Sequence, residues 1–289
     1  MIELSRRQFF KGMTVLGSIF GVPRLAHATE LKYSTSTLDF DGQVSIEWLG
    51  HGSFLFKSIT GKNILFDPWI STNPKCPGKY RQTGGFDSID FILWTHGHVD
   101  HFMINDAKAL ISQHKPKVIA PWELNFFIKS EIPEANCQTF AIGNKGCTSS
   151  IDGIKFTMVE AFHSAGAQLT GFEGKNHFVG EAVGYIIEFE NGLKLYHSGD
   201  TALMGDMKTI IGDFYQPDIA ILPIGGTFTM GPKEAAHACK LIRPKIVIPE
   251  HYGTFPVLVQ DCEAFKEHVK AVSPETRVIE AQPGIPVMV

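Results

Sequence analysis

Three histidines and one aspartate fall within six residues at His96-Gly97-His98-Val99-Asp100-His101. So many imidazoles and a carboxylate are costly to bury together without a compensating cation. Neutral imidazole and carboxylate are natural ligands of divalent metals, so the spacing points to a metal site. Gly97 lets the backbone turn tightly between the first two histidines. Three later positions offer the same ligand types: His163, Asp200 and His251. Each follows a short apolar run. A lone histidine at such a place is usually structural, but four such ends in order point to one shared site.

The elements that must position these residues are short strands. Asp90–Trp94 delivers the histidine cluster, Lys155–Ala161 delivers His163, Leu193–Tyr196 leads to His197 and Asp200, and Lys245–Ile248 leads to His251. Upstream, Val44–Leu49, Ser53–Lys57 and Ile64–Phe66 read as an antiparallel meander, with Gly50-His51-Gly52 as a turn. Residues 71–87 are rich in Pro, Gly and Lys and read as a loop that could lie over the site. Further strands are expected at Lys117–Ala120, Thr139–Ile142, Ala182–Phe189 and Ile219–Leu222. Helical periodicity marks Ile104–His114, Trp122–Lys129, the stretch after Pro232 and Asp261–Val272. Meander-like strands in the first half and helix-alternating strands in the second predict an α/β protein with two sheets packed face to face and helices outside.

Composition narrows the function. With 289 residues, 44% hydrophobic, the chain can bury a sizeable core. A net charge of −4 without a long basic run argues against nucleic-acid binding. The five cysteines, Cys76, Cys137, Cys147, Cys239 and Cys262, form no Cys-x-x-Cys pair, which argues against a zinc ribbon. They are expected to be mostly free, buried thiols.

Ser5-Arg6-Arg7-Gln8-Phe9-Phe10-Lys11 resembles a twin-arginine export signal. The apolar run Met13–Val22 is too short to span a bilayer, and Ala26-His27-Ala28 has the form of a signal-peptidase site. The expected organisation is therefore a signal peptide over 1–28, a junction over 29–43 and one domain over 44–289. Its partners would be the twin-arginine export machinery and a small-molecule substrate, its location periplasmic or otherwise extracytoplasmic, with no mature transmembrane segment. No oligomeric state follows from the sequence.

The ligand order His-x-His-x-Asp-His, then His, Asp and His, resembles that of the metallo-β-lactamase superfamily. The closer likeness is to a branch of bacterial metal-dependent hydrolases related to ascorbate-6-phosphate lactonase. Supporting stretches include Gly50-His51-Gly52-Ser53, Leu65-Phe66-Asp67-Pro68, Tyr196-His197-Ser198-Gly199-Asp200-Thr201 and His251-Tyr252-Gly253-Thr254-Phe255-Pro256. The resemblance implies a four-layer αβ/βα sandwich with two divalent metal ions at one edge, zinc first, though manganese and iron suit the same ligands. It implies that His96, His98 and His163 hold one ion, Asp100, His101 and His251 the other, and that Asp200 bridges them. Asp100 would also handle a proton in hydrolysis of an ester, lactone or phosphodiester by a metal-bound hydroxide. His51, Asp67, His197, Tyr252 and Thr254 are expected behind the ligands or at the substrate. Two alternatives stand beside this reading: a phospholipase D-like phosphodiesterase and a non-catalytic periplasmic metal-binding protein.

Overall fold

The computed structural model of the protein describes residues 43–168 and 175–289. The leader and most of the junction lie outside the described residues.

The meander forms as expected: β1 (Ser45–Gly50), β2 (Ser53–Lys57) and β3 (Asn63–Phe66) pair antiparallel in sequence order. β4 (Phe91–Leu93), β5 (Lys117–Ile119) and β6 (Asn136–Cys137) then continue the sheet in parallel. Parallel neighbours need a crossover. Residues 67–90 cross from β3 to β4, α1 (Ile104–His114) crosses from β4 to β5, and α2 (Trp122–Glu131) crosses from β5 to β6.

The second half repeats this plan. β7 (Thr148–Ile151), β8 (Ile154–Glu160), β11 (Val183–Glu188) and β12 (Lys194–His197) are antiparallel neighbours. β13 (Ile219–Pro223), β14 (Ile246–Glu250) and β15 (Arg277–Val278) follow in parallel. Helices α3 (Pro232–Ile242) and α4 (Glu263–Val272) form their crossovers. A small hairpin, β9 (Ala167–Gln168) and β10 (Asn176–His177), stands apart, and β16 (Pro286–Met288) returns to β1. Among the described residues each main sheet has seven strands.

Alternation along the strands decides the layers, because successive side chains point to opposite faces. In β3 and β4, Ile64, Phe66, Phe91 and Leu93 join the core shared with the second sheet, which includes Phe156, Tyr185 and Leu195. Leu65 and Ile92 between them face the other way, against Leu110 and Ile111 of α1 and Leu124 and Ile128 of α2. Sheet therefore packs on sheet, with helices outside, as the sequence predicts.

One local expectation fails, and one helix has no counterpart in the sequence reading. Thr139–Ile142 is a turn rather than a strand, because the amides of Ala141 and Ile142 both bond back to the Gln138 carbonyl. The strand forms earlier, at β6. Met207–Tyr215, unassigned from sequence, winds as a wide π-helix, closed by the Gln216 amide on the Ile211 carbonyl. All five cysteines are free thiols, as expected; Cys76, Cys239 and Cys262 are buried. Among the described residues no helix is long and apolar enough to cross a membrane.

Candidate metal centre

The candidate ligands sit on loops at the ends of β1, β4, β8, β12 and β14. After β4, a tight turn closes when the amides of His101 and Phe102 bond to the His98 carbonyl. That turn aims His96, His98, Asp100 and His101 inward, while Phe102 anchors in the outer core. Two glycines make room. A Cβ on Gly97 would lie 2.6 Å from Val179, and one on Gly52 would lie 2.5 Å from the His101 ring.

All seven predicted ligands are brought together, in two groups. In the first, His96 Nε2 lies 3.0 Å from His98 Nδ1, which lies 3.2 Å from His163 Nε2. Nitrogens bound tetrahedrally to one zinc, at bonds near 2.0–2.1 Å, stand about 3.3 Å apart. Burial, reinforced by neighbouring imidazoles, holds all three rings below their ordinary pKa and so neutral. Facing lone pairs on neutral rings are what a divalent cation requires.

The second group is Asp100, His101, His251 and, unexpectedly, His51, whose ligand atoms lie within 4.8 Å of one another. Asp200 stands between the groups. Its Oδ2 is 3.4 Å from His163 Nε2, 3.9 Å from His96 Nε2 and 3.2 Å from His251 Nε2; its Oδ1 is 3.3 Å from His101 Nε2. Despite that last distance, neither Oδ1 nor His101 Nε2 makes a hydrogen bond among the described residues, and both are buried. Unsatisfied donors and acceptors of this kind are rare in native interiors. Here they point at a shared cation.

The electrostatics agree. Burial opposes a charge on His101, but Asp200 and Asp67 on either side of its ring hold it well above its ordinary pKa. Burial likewise works against ionised Asp200, yet His101 and His251 bring its carboxyl well below the usual range. Positive charge is thus favoured at His101 Nε2, and a divalent ion would supply it there.

Outer partners fix the tautomers. Asp67 Oδ2 accepts from His101 Nδ1 at 2.9 Å, leaving Nε2 to face the centre. Asp67 also accepts from the Thr95 amide at 2.7 Å and the Thr95 hydroxyl at 2.6 Å. The Thr95 oxygen, having donated its proton, accepts from His96 Nδ1 at 2.9 Å, so His96 Nε2 faces inward as well. Such partners orient ligand histidines throughout metalloproteins. Asp67 was anticipated. Thr95 was missed, although it directly precedes the cluster.

The remaining predicted positions divide. His51 is wholly buried, with its Nε2 3.2 Å from Asp100 Oδ2 and its ring 3.8 Å from that of His251. Burial lowers its pKa to about 4, so it is neutral and donates to Asp100. His197 is wholly buried between the sheets, stacked 3.9 Å from Phe66, with Nδ1 accepting from the Gly199 amide. It cannot reach a substrate. Tyr252 packs against Trp48 at 5.2 Å, and Thr254 bonds to the Tyr252 carbonyl; both serve the loop after His251. His51, Asp67 and His251 all take left-handed backbone angles, with φ of 57°, 40° and 59°. The segment after Pro68 docks on the turn carrying His51, where the Asn73 side-chain Nδ2 donates to the Gly50 carbonyl at 3.1 Å.

The family model described as the Beta-lactamase superfamily domain matches residues 45–251. The chain belongs to the metallo-β-lactamase superfamily. Within it, the chain is 40% identical to a UPF0173 metal-dependent hydrolase of Rubrobacter xylanophilus, over 84% of this chain and 96% of that protein. It is 41% identical to one of Chloroflexus aurantiacus, over 83% and 96%. Among solved structures it is similar to Igni18, a metallo hydrolase of Ignicoccus hospitalis, with a TM-score of 0.72 and 31% identity over 85% of this chain and 98% of that one. The superfamily sandwich accounts for the two mixed sheets with helices outside, and the relatives' names match the expected branch.

Proposed function

We propose that this chain is a metal-dependent hydrolase that acts on an ester, lactone or phosphodiester through two divalent ions. Membership of the superfamily and 40% identity to relatives named metal-dependent hydrolases support the activity. The observation that carries the dinuclear reading is Asp200, which lies within 3.9 Å of ring nitrogens from both groups. His96, His98 and His163 would hold one ion, Asp100, His101 and His251 the other, and Asp200 both. Bound there, divalent ions polarise the attacked oxygen and make a water nucleophilic near neutral pH.

The chain's own groups handle orientation and protons. Asp100 is the accessible carboxylate of the centre, its side chain 19% exposed against 3% for Asp200. The hydrogen bond from His51 fixes one of its oxygens and, with nearby His101, overcomes burial to keep it ionised. An ionised, partly open carboxylate can take the proton of an attacking water and return it to the leaving group. Asp67 and Thr95 hold the two rings behind the centre in one tautomer.

Metal analysis of gently purified protein should give about two ions per chain, and the loaded protein should cleave members of an ester, lactone and phosphodiester panel. An active preparation with one ion would remove the dinuclear reading. A loaded preparation inert across the panel would favour a binding protein instead.

From sequence alone we further propose that residues 1–28 direct export in folded form. Arg6→Lys with Arg7→Lys should retain the precursor in the cytoplasm; fractionation that finds this variant still exported would refute it.

A further inference from the structure

Four loops at the ends of second-sheet strands surround the candidate centre, and hydrogen bonds join them edge to edge. The Phe162 amide bonds the Thr201 hydroxyl, and the Ala202 amide bonds the Phe162 carbonyl, both at 3.0 Å. The Met230 amide bonds the Thr201 carbonyl at 3.1 Å, and the Val259 amide bonds the Gly225 carbonyl at 3.0 Å. The Thr227 hydroxyl bonds the Val257 carbonyl at 3.0 Å. A continuous rim results, in which His163, Asp200 and His251 are the inward-facing members.

The outward-facing members are large and apolar. Phe162, immediately before His163, is 58% exposed, and Phe228 is 50% exposed. Leu203 and Val257 are exposed as well. The half-buried Phe255 ties this rim to the centre directly, with its ring 5.5 Å from that of His51 and 5.7 Å from Trp69. Over residues 161–168, 198–205, 225–231 and 251–260 there is no lysine, arginine or glutamate, and the one aspartate is Asp200. Single exposed apolar residues need no explanation, but a group of them beside a binding site marks an interaction surface. Nothing charged on these loops would recognise a polyanionic substrate. Lys75 approaches them, its Nζ 3.5 Å from where a Cβ on Gly253 would lie.

We infer that the rim formed by Phe162, Leu203, Phe228, Phe255 and Val257 binds an apolar acyl or alkyl arm of the substrate, adjoining the bond presented to the metal centre. The inference rests on the hydrolase reading and specifies its substrate class. The arm would lie across the rim with its polar end at the centre. Loops this neutral suit a hydrophobic ester better than a sugar phosphate.

Binding can be measured without turnover, by titrating zinc-loaded protein with straight-chain carboxylates from acetate to octanoate in a calorimeter. Each methylene that the rim covers should tighten binding roughly two- to fourfold. Phe162→Ser combined with Phe228→Ser should flatten that dependence while leaving acetate binding unchanged, and Phe162→Leu should retain it. Phe140→Ser, at a 93% exposed phenylalanine elsewhere, should match the parent. Circular dichroism would verify that the double variant folds. A flat series in the parent, or an unchanged slope in the folded double variant, overturns the inference. Loss of acetate binding in Lys75→Met together with a flat parent series would assign recognition to that cation instead. Chain-length dependence with nothing cleaved across the ester, lactone and phosphodiester panel would sustain the rim while removing the hydrolase reading.

Discussion

The two halves of the centre solve the same problem differently. The first group is three imidazoles, two of them from one tight turn, with nitrogens already 3.0–3.2 Å apart. Thr95, next in sequence to His96, sets that ring, and Asp67 acts on it only through Thr95. The second group is assembled from three loops far apart in the chain and contains one carboxylate, buried rings and left-handed backbone at His51 and His251. Its orientation depends on Asp67, 34 residues from His101. The first half should therefore tolerate damage elsewhere in the protein better than the second. Asp200 brings carboxylate oxygens within 3.9 Å of ring nitrogens from both groups.

That contrast can be broken most severely at its joint. Asp200→Ala should weaken both ions by more than the roughly 10–100-fold that losing an outer partner costs, and should abolish turnover. Elemental analysis after dialysis would check this, and retention of both ions would dissolve the two-site picture. Next comes Asp100→Asn, which keeps an oxygen near the second ion but removes the charge that takes a proton. Turnover should fall roughly 10²–10⁴-fold with most metal retained. Equal rates in steady-state assays would exclude Asp100 from the proton path.

Smaller effects test the asymmetry itself. Asp67→Asn should lower affinity at the second group about 10–100-fold and at the first by less, because it reaches His96 only through Thr95. Titration with a spectroscopically visible ion such as Co²⁺ would separate the two, and equal weakening would mean that the groups are not independent. The mildest change, His51→Gln, preserves a donor toward Asp100 and should cost only a few-fold in second-site affinity, near the lower end for an outer partner. A complete loss of the second ion would instead make His51 a ligand.

Much of this was legible because the first cluster is contiguous. His96, His98, Asp100 and His101 announce themselves by spacing, and His163, Asp200 and His251 by each ending an apolar run. The layers followed from strand alternation and helix period. What could not be read depends on the third dimension. The resemblance placed His51 near the site, but its place inside the second group appears only when folding brings the β1–β2 turn beside the end of β14, where the His251 amide reaches the His51 carbonyl at 3.4 Å. Thr95 carries no signal of its own, since a threonine after a buried strand is ordinary. Tyr252 went the other way: proximity in sequence to His251 suggested a place at the substrate, but it packs on Trp48, while His197 is the buried residue behind Asp200 that its position allowed. The turn at Thr139–Ile142 escaped because a backbone bond to Gln138 leaves no trace in side-chain pattern.

The left-handed angles at His51, Asp67 and His251 carry a consequence for survival of the fold. Each such residue costs on the order of 1 kcal/mol or more, and the crowded, mostly neutral histidines around them gain little from the folded state on their own. An ion that binds only the native chain would offset this, by about 2.7 kcal/mol at one hundred times its dissociation constant. Melting temperature should then rise with free metal, and starvation for metal would shorten the lifetime of the protein as well as silence it.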